Sequence, residues 1–357
     1  MSDLDQKSPL FPKISVVMAV FNGEKYLREA VDSILSQTFT NFEFIIVDDG
    51  STDSTKDILD IYSSCDSRFV IISRENRGLS ASLNEGIAVA RGHWIARMDA
   101  DDISLPERFE RQIEHLEKTG ADICGSWVKY FGDIDNQILM HASSDDAIKT
   151  ELLFCCAFAH PTVLMRADKI KLLSQPYSEL MIAAEDYELW VRLACAGWRM
   201  TNIPKVLLLY RIHKSQTSNN KLLIQKSNTQ KNRQDYWGSI SELMNLDKDK
   251  VESVLKLFAP SVKKVNLSDS DFIFTQILCN ASLEAREIIL MRLSRLYCGL
   301  GALGFCVPLQ WYRLNKTFGN SHGVGNLIQL SLLATFRINA DSKFFELLKR
   351  IYKKIKK

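Results

Sequence analysis

The sequence predicts an α/β fold: a mostly parallel sheet with helices on both faces, followed by a smaller, mainly helical C-terminal region. Three observations predict it. Short apolar runs alternate with amphipathic helical patterns four times within the first 120 residues. Those runs are almost unbroken by polar residues, as strands buried on both faces must be. Beyond about residue 220 strand signals become few.

The elements follow in order. "ISVVMAVF" (14–21) is a short β-rich run. In "EKYLREAVDSILSQT", which follows it, Leu27, Ala30, Val31, Ile34 and Leu35 share one helical face. "FEFIIVDD" (42–49) predicts a second strand and "STDSTKDILDIYSSC" a second helix. "RFVIIS" (68–73) is the third strand, and "LSASLNEGIAVA" the helix after it. "HWIARMDA" is the fourth strand, followed by a helix in "SLPERFERQIEHLEKTG". For that helix Ser104 and Glu107 have capping-box spacing, Pro106 suits the first turn, and Gly120 suits the C-cap. "ADICGSWVKYF" continues the sheet. Between 145 and 215 the reading is mixed: helices at "DDAIKTELLF" and "DYELWVRLACAG", strands at "PTVLMR" and "KVLLLYRI". The boundary is placed near 220, giving domains over 13–220 and 221–357.

Composition bounds the function. With 357 residues, 46% of them hydrophobic and 25% charged, the chain can bury a substantial core. A net charge of +2 carries no signature of nucleic-acid binding, and no nucleic-acid partner is expected. The eight cysteines (65, 124, 155, 156, 195, 279, 298, 306) include no C-x-x-C pair, so they read as buried thiols of a reducing compartment. The polar start, "MSDLDQKSPLFPK", lacks the apolar core of a signal peptide, and no apolar run approaches the ~20 residues that span a bilayer. A cytoplasmic protein is expected.

Ligands of open α/β sheets sit beyond the carboxyl ends of the strands. Three polar clusters fall there: "AVFNG", "DDGSTD" and "DADD". Taken alone, Asp48–Asp53 is equally a turn with a helix N-cap, and Asp99–Asp102 a solvated lead into the next helix. Yet Asp99, Asp101 and Asp102 repel one another at the end of a buried strand. Either they spread into solvent around the helix start, or they hold a cation. An EF-hand is excluded: with Asp99 at position one, Ile103 takes a ligand position and Ser104 the position of the required glycine.

The segments "PKISVVMAVFNGEKYLREAVDSILSQTF", "FEFIIVDDGSTDST", "NRGLSASLNEGIAVARGHWIARMDADDISLPERF" and "AEDYELWVRLACAG" occur in this order. Together they resemble the family 2 inverting glycosyltransferases of GT-A fold, over residues 13 to about 215. The resemblance is closest to bacterial enzymes that extend lipooligosaccharide, O-antigen or capsule chains. It implies transfer of a hexose or N-acetylhexosamine from a UDP-sugar donor to a glycan or glycolipid acceptor, with Mn²⁺ or Mg²⁺ as cofactor. A divalent ion between carboxylates and a diphosphate stabilises the leaving group as a Lewis acid, and hard ions suit oxygen ligands.

Asp99-Ala100-Asp101 matches the family's D-x-D motif. The resemblance implies that Asp101 binds the metal, with His213 of "YRIHKSQTS" completing its shell or touching the diphosphate. Asp99 contacts the donor's ribose or the metal's water, whereas Asp102 alternatively serves the helix N-terminus. Asp49 matches the position that bonds uracil, and Asp48 is less clearly assigned. Ala19 and Phe21 match the wall of the nucleotide pocket, with plain strand-end packing as the other reading. Where relatives often carry an arginine, this chain has Leu83, which leaves Arg77 and Arg97 as substitutes for a phosphate contact. Glu185-Asp186 matches the family's acidic pair: Asp186 as the base that takes the acceptor's proton, Glu185 orienting sugar hydroxyls. The bland alternative for Asp186 is an N-cap. His160 either lines the acceptor side or is a buried, satisfied imidazole.

The end of the chain, "KFFELLKRIYKKIKK" (343–357), has seven Lys/Arg against one Glu and an apolar helical face. It fits an anionic membrane surface, which would make the protein peripheral on the inner face of the plasma membrane, or else a terminal helix docked on its own domain. Two other classes remain. Nucleotidyl transfer wants a glycine-rich phosphate loop, and "AVFNGEKY" has one glycine. A non-catalytic nucleotide-sugar or glycan-binding protein would keep the same fold.

Overall fold

In the computed structural model the described residues are 11–133, 136–213, 216, 221–258, 266–300, 303–319 and 324–337. They form two compact units. One holds the chain up to Asp145 together with Cys156–Thr229; the other holds Asp146–Cys155 and the chain from Gln230 onward.

The first unit runs β1 (Ile14–Val20), α1 (Leu27–Leu35), β2 (Phe42–Asp48), α2 (Thr55–Cys65), β3 (Phe69–Ser73), α3 (Leu79–Val89) and β4 (Trp94–Asp99). It continues with β5 (Ile103–Ser104), α4 (Arg108–Thr119), β6 (Ile123–Gly132) and β7 (Ile138–Leu139). After α5 (Asp145–Glu151) come β8 (Leu164–Arg166), α6 (Ala167–Ile170), α7 (Glu185–Cys195), β9 (Met200–Ile212) and the first turns of α8 (Leu222–Leu243). The sheet order is β3-β2-β1-β4-β8-β6-β9-β5, with β7 beside β6.

The sheet is mostly parallel, as expected, with short antiparallel pairings added to it. β1 to β4 are parallel, as are β6 and β9. β8 runs antiparallel to both β4 and β6, and β5 antiparallel to β9. The cause is local. β8 is entered from a short 3₁₀ turn, His160–Thr162, rather than through a crossover helix, so nothing forces it parallel to its neighbours.

β1 has β2 on one side and β4 on the other, so the order reverses there and opens a crevice at the carboxyl ends. The register sets the polar clusters level: Val20 lies opposite Asp48, and Ala19 opposite Asp99. Both faces are covered. Val16, Met18, Phe44, Ile46, Ala96 and Met98 pack against Leu27, Ala30, Val31 and Ile34 of α1 and against Phe109 and Leu116 of α4. On the other face α3 approaches so closely that a Cβ on Gly86 would lie 2.6 Å from Val17 Cγ1.

Two smaller expectations fail. Ser104 and Glu107 form no capping box. Ser104 belongs to β5, its hydroxyl accepts from Gln37 Nε2 at 3.1 Å, and α4 starts later, at Arg108, with no side-chain cap. Pro106 therefore precedes the helix, whereas Gly120 does close it in the left-handed conformation. The cysteines are free, but of the eight only Cys124 is buried. Cys65, Cys195 and Cys306 are exposed end residues of α2, α7 and a C-terminal helix.

The second unit is helical: the rest of α8, α9 (Lys248–Leu255), α10 (Leu267–Asn280), α11 (Leu283–Cys298), α12 (Cys306–Phe318) and α13 (Val324–Phe336). Asp247, Asn266 and Ser282 cap the N-termini of α9, α10 and α11 with their side chains. Residues 146–155 belong to its core. Phe154 stacks on Phe274, Trp237 Nε1 donates to the Leu153 carbonyl, and the buried Glu151 pairs with Arg292. No composition shift marks this excursion. The basic segment 343–357 lies outside the described residues, and among those described no helix is long and apolar enough to cross a membrane.

Replacing Gly86 by valine forces α3 off β1, because the clash is with branched side chains in a filled core. A loss of about 1–3 kcal/mol is expected, read as a lower urea midpoint with unchanged slope.

Candidate active site

The crevice is built from loops that hold one another by side chain to backbone bonds. After β1, Asn22 N–H donates to Ser51 Oγ (2.9 Å), Gly23 N–H to Thr55 Oγ1 (2.8 Å) and Glu24 N–H to Asp53 Oδ2 (3.1 Å). Thr52 and Ser54 N–H donate back to Asn22 Oδ1 and Glu24 Oε2. "DDGSTD" is thus more than a helix cap: its hydroxyls and Asp53 fix the loop carrying Phe21, whose ring is half exposed beside Ala19. Gly50 has φ +80°, and a Cβ there would meet the Asn76 backbone at 2.8 Å.

Asp49 is buried. It accepts from Arg77 N–H (2.9 Å) and Gly78 N–H (2.8 Å) and pairs with Arg74. Arg74 also bonds Glu85 Oε2 (2.6 Å) and Ser82 Oγ (2.8 Å), so it ties three elements together. Sequence reading passed over Arg74, although it follows the third strand just as the aspartates follow the second and fourth. Asp48 accepts from Ser51 N–H at 3.0 Å. Leu83 is core, Arg77 is exposed at the rim, and Arg97 is buried rather than available at a surface.

The carboxylates after β4 do not spread into solvent. Asp99, Asp101 and Asp102 each offer an oxygen, and these atoms lie within 4.8 Å of one another. Arg97 pairs with Asp99. Asp101 Oδ2 lies 2.9 Å from His213 Nε2, as the sequence pairing of these two residues anticipates. Asp102 does not serve a helix N-terminus: Oδ1 accepts from Arg211 N–H of β9 at 2.8 Å, and Oδ2 is buried with no hydrogen-bond partner. The two-residue strand β5 makes this meeting possible, since pairing Ile103 with Leu209 sets the aspartates against the end of β9.

Arg211, another residue not singled out from the sequence, donates from Nε to the Asp101 carbonyl (2.7 Å) and from Nη2 to Glu29 Oε2 (2.9 Å). Its guanidinium lies between the rings of Tyr26 and Phe131, 4.3 and 4.4 Å from their centroids. Burial and the Asp99 charge raise the Asp101 pKa, although His213 opposes them. Asp102 is pushed well above the carboxylate range by burial, then by Asp99 and Asp101. Three crowded carboxylates, one imidazole and an orphaned buried oxygen fit a hard divalent ion such as Mn²⁺ or Mg²⁺.

Glu185 and Asp186 open α7, whose N-cap position is Ala184, so Asp186 is not the cap. Its Oδ1 accepts from Tyr187 N–H (2.7 Å) and its Oδ2 from the Cys156 thiol (3.5 Å). Burial, then the neighbouring Asp186, push Glu185 up to about 7; burial also raises Asp186. The Arg97 charge works against both shifts, so this one buried cation faces the aspartate cluster and the acidic pair alike. His160 is partly buried: its Nε2 lies 2.8 Å from Tyr177 Oη, and burial and Arg97 hold its pKa well below the usual histidine range. Asn84 fixes Tyr177 by two backbone bonds of 2.8 Å.

Comparison with known proteins agrees with this geometry. Residues 15–170 match the family described as Glycosyl transferase family 2. An uncharacterised glycosyltransferase of Methanocaldococcus jannaschii is 37% identical over 209 residues, covering 56% of this chain and 71% of the relative. The Escherichia coli enzyme WfaP, a UDP-Glc:α-D-GlcNAc-diphosphoundecaprenol β-1,3-glucosyltransferase, is 33% identical over 222 residues, covering 61% and 85%. In fold the chain is similar to Staphylococcus aureus TarS in complex with UDP-GlcNAc, with a TM-score of 0.57, 16% identity and 90% of each chain covered. With carboxylates level at the strand ends and relatives matched over most of their length, the chain is a glycosyltransferase and belongs to glycosyl transferase family 2.

Proposed function

We propose that the enzyme transfers a hexose or N-acetylhexosamine from a UDP-sugar, with inversion, to a hydroxyl of a lipid-linked or cell-surface glycan in lipopolysaccharide, O-antigen or capsule synthesis. The observation that carries this reading is the crevice with two separate acidic groups: the Asp99–Asp101–Asp102 cluster and the Glu185–Asp186 pair, with Arg97 facing both. A relative acting on a diphosphoundecaprenol-linked sugar supports the acceptor class. Work at the inner face of the plasma membrane follows from such an acceptor.

Asp49 receives uracil N–H, with Ala19 and Phe21 along the nucleotide. Asp99 takes the ribose hydroxyls. Asp101 and His213 hold Mn²⁺ or Mg²⁺, whose chemistry when bound is to neutralise the charge gathering on the departing diphosphate. Asp186 accepts the proton of the acceptor hydroxyl as its oxygen bonds the anomeric carbon and the bond to UDP breaks. Glu185 orients sugar hydroxyls. His160 stays neutral and holds Tyr177.

Asp186→Asn should lower kcat/KM about 10²–10⁴-fold while UDP affinity stays within a factor of about two, as calorimetry would record. Unchanged transfer by this variant would end the proposed role. The base must be ionised, and burial keeps Asp186 protonated to a higher pH than an ordinary carboxyl. The rate therefore falls as pH drops through that raised range, and Glu185→Gln, which removes the neighbouring charge, moves the acid limb to lower pH. A rate that does not fall as pH drops from neutrality toward the ordinary carboxylate range would contradict the assignment. Release of UDP from UDP-glucose, UDP-galactose or their N-acetylamino forms, lost on chelation, identifies the donor.

A further inference from the structure

Five large apolar side chains stand exposed beside the acidic pair. Leu180 (87%) and Ile182 (45%) lie in the turn immediately before α7; Leu222 (49%), Leu223 (81%) and Ile224 (48%) form the first turn of α8. Asn228 Nδ2 donates to the Ile182 carbonyl at 2.9 Å, which brings the start of α8 alongside that turn. The turn is held in a conformation that L-residues avoid, with Ala183 at φ +61°. Single exposed leucines are ordinary, but a group of five on two adjoining segments is not. Nor do they belong to an amphipathic face turned the wrong way. Residues 222, 223 and 224 are consecutive and all exposed, and burial in α8 begins only at Asn232.

The charge around the group indicates what covers it. Lys221, Lys226 and Lys231 are exposed on the same helix and its approach. From Leu189 through Gln234 the sequence has nine Lys/Arg and no Asp or Glu. The acid beside Leu180, Glu179, accepts from Gln175 Nε2 at 3.1 Å. An apolar group with exposed lysines on the helix that carries three of its members suits insertion among the headgroups of an anionic bilayer: the side chains leave water and the ammonium groups meet lipid phosphates. A second copy of this chain would bring the same lysines against one another.

We propose that Leu180, Ile182 and Leu222–Ile224 form a membrane-contact patch that seats the mouth of the acceptor side on an anionic lipid surface, where a lipid-linked acceptor reaches Asp186. The lipid-linked acceptor rests on the reading under Proposed function; the contact itself does not. The test is sedimentation of the full chain with phosphatidylglycerol–phosphatidylcholine vesicles and with phosphatidylcholine vesicles, for the wild type and for Leu180→Glu/Leu223→Glu, alongside UDP binding. The wild type should sediment with the anionic vesicles only, and release in high salt. The double variant should partition roughly 100-fold more weakly while it binds UDP as before. If it fails to bind UDP, Leu180→Ala/Leu223→Ala carries the test, with a smaller loss in the same direction. Equal sedimentation of wild type and variant overturns the patch, as does equal binding to uncharged vesicles. A wild-type dimer that the substitutions split, without vesicle binding, assigns the surface to a second copy and overturns it too. Loss of UDP binding in the wild type would sink the donor reading and leave the vesicle result standing.

Discussion

The site depends on one buried guanidinium. Arg97 sits in β4 between Ala96 and Met98, which face the apolar side of the sheet, so its side chain projects to the opposite face. There it pairs with Asp99, and its charge reaches Asp101, Asp102, Glu185 and Asp186. Burial lowers its pKa, yet Asp99 outweighs that and holds the arginine firmly charged. Removing one partner of such a pair leaves the other buried and uncompensated, at about 3–5 kcal/mol. One cation cannot balance five carboxyl groups, however. Burial raises the pKa values of Asp101, Asp102, Glu185 and Asp186, and neighbouring carboxylates add to the first three. A divalent ion, as proposed, would supply the missing positive charge.

The remaining architecture positions the carboxylates. Parallel register brings Asp48 and Asp99 level at the two sides of β1. The hydroxyls of Ser51 in the "DDGSTD" turn and of Thr55 just after it stitch the first two strand-end loops together. β5 is only two residues long, but its pairing with β9 delivers Asp101 to His213 and Asp102 to the Arg211 amide. Arg211 then grips the Asp101 carbonyl from between two aromatic rings. These contacts fix the carboxylates in advance, so little reorganisation remains when charge develops nearby.

Much of this was legible in the sequence, for identifiable reasons. Near-continuous apolar strands and the 3.6-residue spacing in α1 report burial directly, and the D-x-D and Glu-Asp segments keep their place at an element end. Strand direction was not legible, because three residues of β8 after a 3₁₀ turn carry no mark of parallel or antiparallel pairing. Arg97 read as available for phosphate because no local pattern tells which face of a doubly covered strand hides a charge. Ser104 lost its cap role to β5, and Asp102 lost the helix to the Arg211 amide; both depend on β9, more than a hundred residues away in sequence. Arg74 and Arg211 were missed as ordinary surface-type residues, though each sits at a strand end where the other chemistry gathers.

The central claim is that the acid corner after β4 closes on a divalent cation. Thermal unfolding at neutral pH, with UDP and either Mn²⁺ or chelator, measures it most directly. The account predicts that Mn²⁺ raises the midpoint of the wild type by several degrees, roughly 2–4 °C per kcal/mol, and leaves Asp101→Asn unmoved. A wild type indifferent to the ion, or a variant that gains as much as the wild type, would contradict it.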